Sequence, residues 1–151
     1  MLDKLRKQIA VELDQLNRLF ELHQPLLDQC AEVAPTPIEI SALGAMVHSF
    51  YNGVENVFKR IALELDGEVP DSGTWHRDLL DAMARATPRR PAVISQSVQE
   101  RLKPYLNFRH VFRSAYSFLL EWERMAPLVL ECRQTFEALK ADLLAFADDR
   151  R

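Results

Sequence analysis

The sequence predicts an all-α fold, an antiparallel helical bundle of four to five helices forming one domain over residues 1–151. Three observations predict it. Only four glycines occur in 151 residues, so long stretches lack the residue that most readily interrupts a helix. Apolar side chains recur at steps of three and four, as on a helix with one buried face. And "TPIE" at Thr36–Glu39 spells a helix start: Thr36 at the N-cap, Pro37 at N1 and Glu39 at N3, the reciprocal capping box.

Each element follows from its own pattern. Residues 2–31 repeat Leu2, Leu5, Ile9, Leu13, Leu16 and Phe20, with Pro25 kinking the helix or dividing it. After the capping box, Ile40, Leu43, Val47, Phe50, Val54, Val57 and Ile61 make a bundle seam that Asp66-Gly67 ends. "GEVPDSG" reads as loop, and Thr74 to about Arg85 as a short helix. "TPRRPAVIS" cannot be helical throughout, because two prolines flank its arginines. Ser97-Val98-Gln99-Glu100 reads as a second capping box, and Pro104 as a kink or a fresh start. The last seam runs Trp122, Met125, Val129, Cys132, Phe136, Leu139, Leu143 and Phe146, with Pro127 placing the helix start near Ala126 or bending the helix there. The sum is three or four long helices plus a short one.

Composition narrows the function. At 48% apolar and 27% charged the chain can bury one core and is not of the disordered type. No run approaches the ~18 apolar residues of a membrane span, and the N-terminus mixes acids into its apolar positions, unlike a signal or transit peptide. Two cysteines, Cys30 and Cys132, are too few for a disulfide framework; both read as buried thiols in a cytoplasmic protein. Glu-x-x-His spacing is absent, the four histidines are scattered, and no glycine loop could cradle phosphates. The expectation is therefore no metal and no cofactor. The net charge of −3 conceals a basic centre: residues 77–124 balance at +4 and the remainder at −7, which is compatible with a local polyanion site.

Within that basic centre stands "FRHVFRSAY", Phe108 to Tyr116. At 100° per residue, Tyr105, Arg113 and Tyr116 lie within about 40° of Arg109. Two guanidiniums between phenols suit RNA, because arginine grips phosphate oxygens in pairs and stacks on bases. His110 and Ser114 share an adjoining face, while Phe108, Phe112, Trp75 and Trp122 read as core. The plainer alternative is a bundle helix whose polar side pairs with acids such as Glu55. Tyr51 and Glu55, one turn apart, are expected to face this helix, with Glu55 placed to orient an arginine. Arg89 and Arg90 read as a widening of the basic surface.

The arginine, the polar residue after it, four intervening positions, a small residue and Tyr116 resemble the motif of the HEPN superfamily, specifically the HepT-like toxins: arginine, four to six residues, histidine, any residue, tyrosine. "FYNGVENVFKRIALELDG", "WHRDLLDAM", "RPAVIS" and "FRHVFRSAYSFLLEWERM" are similar to their flanking regions, from about Ser41 to Met125. The resemblance implies a HEPN-like bundle that dimerises and cuts RNA without metal, paired with a nucleotidyltransferase-type antitoxin. On that resemblance Arg109 would stabilise the charged phosphorane and Tyr116 would be the tyrosine open to adenylylation. It is the helical geometry that marks Tyr105 and Arg113 for RNA binding and Glu55 and Tyr51 as supporting residues. The departure is Ser114, which stands where the family has its histidine. A serine hydroxyl is a poor proton acceptor near neutrality, so help worth roughly 10²–10⁴ in rate is missing. Three readings stand side by side: His110 substitutes as the base, the lineage is a non-catalytic binder of RNA or partner, or the serine silences a toxic protein.

Overall fold

The apolar seams find partners as five α-helices: α1 (Leu2–Cys30), α2 (Pro37–Ile61), α3 (Trp75–Met83), α4 (Gln96–Ser114) and α5 (Trp122–Asp148). The computed structural model describes residues 2–114, 116 and 119–148, with Ser114 described by its backbone alone. Among these residues there is no strand, only an isolated bridge between Thr87 and Arg90.

α2 is the central element and packs against each of the other four helices. Its capping box forms as the sequence requires: Glu39 N–H donates to Thr36 Oγ1 at 3.2 Å, and Thr36 N–H to Glu39 Oε1 at 2.9 Å. Leu43, Val47, Phe50, Val54, Val57 and Ile61 are all buried. The centre of the bundle is aromatic. Phe20 of α1 stacks on Phe136 of α5 at 5.2 Å between centroids and meets Phe50 of α2 edge-on at 5.7 Å, while Tyr105 of α4 closes on Phe50 at 5.3 Å. Such edge and offset contacts suit the ring quadrupoles and draw four helices onto one point.

At each of three prolines the sequence allowed either a bend or a helix boundary. Pro25, Pro104 and Pro127 all lie inside continuous helices rather than dividing them. Each ring sits on an exposed position, where water can satisfy the carbonyl that loses its donor. α4 is capped at Ser95 and not at Ser97: Val98 N–H donates to Ser95 Oγ at 3.2 Å, and Ser95 N–H is itself held by Asp142 Oδ2 of α5 at 2.8 Å. A tertiary partner fixes that start two residues early.

α2 continues as a π-helical turn, Ala62–Asp66, and stops at Gly67, whose φ of 82° is in the left-handed region. Asp66 then anchors Arg90, and here the expectation of a surface arginine fails. Arg90 is only 3% exposed. Its guanidinium grips Asp66 with Nε to Oδ1 at 2.8 Å and Nη2 to Oδ2 at 2.9 Å. It also donates to the carbonyls of Ala82, Arg85 and Pro91. One side chain thus ties the end of α2, the end of α3 and the "RRP" loop together. Both cysteines are reduced and buried, Cys30 near the end of α1 and Cys132 mid-way along α5.

Candidate functional site

The site follows from how α4 leaves the core. Val98, Leu102, Tyr105, Arg109 and Phe112 step by four and three along one stripe, so the face that carries Arg109 is the face α4 turns towards α2. Burial falls along that stripe: Leu102 is 0% exposed, Tyr105 2% and Phe108 7%, Arg109 and Phe112 are half-buried, and Arg113 is exposed. Tyr105 therefore does not belong to an RNA-facing strip. Its ring is core and its hydroxyl donates to the Leu128 carbonyl at 2.7 Å. The angular grouping of Tyr105 with Arg109 was correct, but the shared face points inwards. Phe108 is core as expected, and Phe112 lies against His48 at 4.9 Å.

Arg109 meets an internal polar cluster. Glu55 of α2, 3% exposed, brings Oε1 to 3.5 Å from Arg109 Nε and Oε2 to 2.6 Å from His76 Nδ1. Arg109 Nη1 lies 3.1 Å from His76 Nε2, and Nε donates to Asn52 Oδ1 at 3.4 Å. The proton positions follow from chemistry. Arginine only donates, so His76 Nε2 must accept; the single imidazole proton then sits on Nδ1 and is donated to Glu55. A buried carboxylate would be costly alone, and here it is matched by a cation and an N–H. Glu55 thus faces α4 and lies against Arg109.

His76 is the residue that sequence reading missed, a second histidine beside Arg109 in addition to His110. It lies 21 positions from Glu55 and 33 from Arg109, so no local motif holds it. One signal was available: His76 shares a stripe of α3 with the buried Leu79, Leu80 and Met83, a polar residue on an apolar face. Trp75 packs against its ring at 3.5 Å between centroids, and Lys59 Nζ sits 4.5 Å above the indole.

The cluster opens sideways. A cleft of about 380 Å³ between α3 and α4 is lined by Gly73, Thr74, His76, Arg77, Leu106, Asn107 and His110. A second depression of about 260 Å³ continues it past Arg77 and Asn107 to Lys103 and Asp81. His110 is exposed on this cleft, while Arg113 and Tyr116 (73% exposed) lie beyond it. Ser114 falls at the end of α4 and its side chain lies outside the described residues.

Two further polar groups sit deep beside Arg109. The Tyr51 hydroxyl is fully buried and has no hydrogen-bond partner among the described residues; burial, with the Glu55 carboxylate adding to it, pushes its pKa up, so it stays neutral. His48, whose Nδ1 is likewise without a partner there, has its pKa lowered by burial and then by the Arg109 and Arg113 charges, with Glu55 opposing. Among the described residues no group of three or more His, Cys, Asp or Glu side chains could hold a metal ion, and no helix is long and apolar enough to cross a membrane.

Comparison with known proteins gives one match: the model of a family described as HepT-like protein fits residues 42–150. No curated protein and no solved structure matches the chain.

Proposed function

The chain belongs to the HepT-like family, and from that premise we propose that it is the toxin component of a toxin-antitoxin pair, a metal-independent endoribonuclease acting at the cleft between α3 and α4. The observation that carries the reading is Arg109, a guanidinium held by Glu55 and, through its Nη1, against His76, whose own side chain lines a cleft that also carries Arg77. In the reaction a ribose 2′-hydroxyl attacks its own phosphate, leaving a cyclic phosphate and a 5′-hydroxyl. Negative charge grows on the phosphorane oxygens, and a pre-positioned arginine stabilises it without reorganising. Arg113, exposed further along α4, serves as a second phosphate contact. The chain works as a homodimer in a cytoplasmic setting. Exposed Val111 on α4 and Leu119 in the segment before α5, beside an apolar hollow of about 250 Å³ against α5, support such an interface. The solvent-exposed Tyr116 supports adenylylation by a nucleotidyltransferase antitoxin.

Incubation of single-stranded RNA with the purified protein and a chelator tests this. Cyclic-phosphate ends should accumulate, Arg109→Ala should abolish them, and Ser114→His should cut at least as fast as the parent. The anchoring of Arg109 by an internal carboxylate favours a second reading, a non-enzymatic module that docks RNA or the nucleotidyltransferase through Arg113 and Tyr116. It requires salt-sensitive binding with no cleavage even in Ser114→His.

A further inference from the structure

We propose that His76 is the proton acceptor for RNA cleavage in this chain, with Glu55 as its positioning residue, so that the function lost from position 114 is supplied from α3. This rests on the endoribonuclease reading above. Three observations carry it. Glu55 Oε2 lies 2.6 Å from His76 Nδ1, which holds the tautomer whose Nε2 lone pair points away from the carboxylate. Glu55 is only 3% exposed, so the pairing is held away from water, and an imidazolium formed on His76 would stand against a carboxylate. And His76 lines the 380 Å³ cleft with its Nε2 3.1 Å from Arg109 Nη1, so a phosphate that enters past His76 to reach Arg109 brings its neighbouring ribose towards Nε2. His110 lines the same cleft but is exposed.

Arg109 Nη1 donates to His76 Nε2. A phosphodiester anion is the stronger acceptor for a guanidinium, since both partners are charged and two parallel bonds form. When Nη1 turns to the phosphate, the Nε2 lone pair is released at the spot where the 2′-hydroxyl arrives. The 2′-oxygen then bonds to phosphorus as its proton passes to His76 Nε2. The bond from phosphorus to the 5′-oxygen breaks, and that oxygen leaves with a proton from water. His76 afterwards returns its proton to solvent, and no other reactant is consumed.

The test compares His76→Asn, His76→Gln, Glu55→Gln, His110→Gln and Ser114→His on one single-stranded RNA oligonucleotide with chelator present, each variant checked by thermal melt. Asparagine keeps a donor for Glu55 and glutamine keeps a group towards Arg109, so one of the two survives a folding defect in the other. Both should cut about 10²-fold slower or worse and lose the acid limb of the pH–rate profile. Glu55→Gln should lower kcat more than it raises KM, and His110→Gln should lose less activity than His76→Asn. In a Ser114→His background the cost of His76→Asn should shrink, because a second acceptor is then available. Cleavage by His76→Asn and His76→Gln within tenfold of the parent overturns the proposal. So does a parent chain that is inert while Ser114→His is active, a result that leaves the endoribonuclease reading standing. Absence of cleavage in every form overturns both.

Discussion

Replacing Arg90 by alanine should unfold this protein more readily than replacing Arg89, its neighbour in the chain. The Arg90 side chain is fully buried and its partner Asp66 has 20% of its side chain exposed. Five hydrogen bonds leave the guanidinium: two to the Asp66 carboxylate, and one each to the carbonyls of Ala82, Arg85 and Pro91. Ala82 lies in the last turn of α3, where carbonyls have no helical partner and a cation also meets the negative end of the helix dipole. Truncating one member of a buried ion pair costs about 3–5 kcal/mol. Asp66 can partly rehydrate, which places this case at the lower end, about 3 kcal/mol. For a chain of this length each kcal/mol moves the melting point by about 2–4 °C, so Tm should fall by roughly 6–12 °C. Urea titration and thermal melts followed by far-ultraviolet circular dichroism read both quantities. Arg89→Ala, at an exposed position, should stay within about 0.5 kcal/mol of the parent. In a double-mutant cycle, Asp66→Asn should cost little once Arg90 is gone. An Arg90→Ala protein within about 1 kcal/mol of the parent would refute the view that this one side chain ties the two helix ends and the loop together.

Other outcomes follow from features already described. Thr36→Ala removes the acceptor for Glu39 N–H and should cost about 1 kcal/mol in a urea titration. Gly53→Val should destabilise by about 1–3 kcal/mol, because a Cβ there would come within 2.7 Å of Leu16 Cδ2; Gly73→Ala, with nothing within 4 Å, should be close to neutral. His48 carries the pH prediction. Its folded-state pKa is pushed below the ordinary 6.5 by burial and by Arg109 and Arg113, so below about that pH the unfolded chain takes up a proton the folded one refuses. Stability should drop as pH falls through 6.5 towards the folded value, and His48→Gln should lose less over the same interval. Parallel stability curves for the two proteins would rule out His48 as the source.

What could be read from the sequence divides along a physical line. The seams of α2 and α5 were legible because an apolar period is a local property, and every member of the α5 seam from Met125 to Phe146 is buried. The Thr36 cap was legible for the same reason, since its four residues are contiguous. Tyr105 shows the limit: helical angle groups it correctly with Arg109, yet angle alone does not say whether a mixed stripe of tyrosine, arginine and phenylalanine faces in or out. Arg89 and Arg90 are adjacent and chemically identical, and only the position of Asp66, 24 residues earlier, separates a buried clamp from a surface charge. His76 is the same problem at the site itself. The Glu55, His76 and Arg109 cluster is assembled from three helices, and nothing in the chain order brings them together.

The two cysteines give the molecule a built-in clock. Cys132 is 0% exposed in the middle of α5, and burial pushes its thiol far from ionisation; Cys30 is 5% exposed near the frayable end of α1, its sulfur bonded to the Leu27 carbonyl. Alkylation needs an accessible thiolate, so neither should be labelled in the native state except through opening. The slow reaction at Cys132 would then time disruption of the whole bundle, the faster one at Cys30 would time release of the first helix alone, and the two could be followed by mass in a single tube without altering a residue.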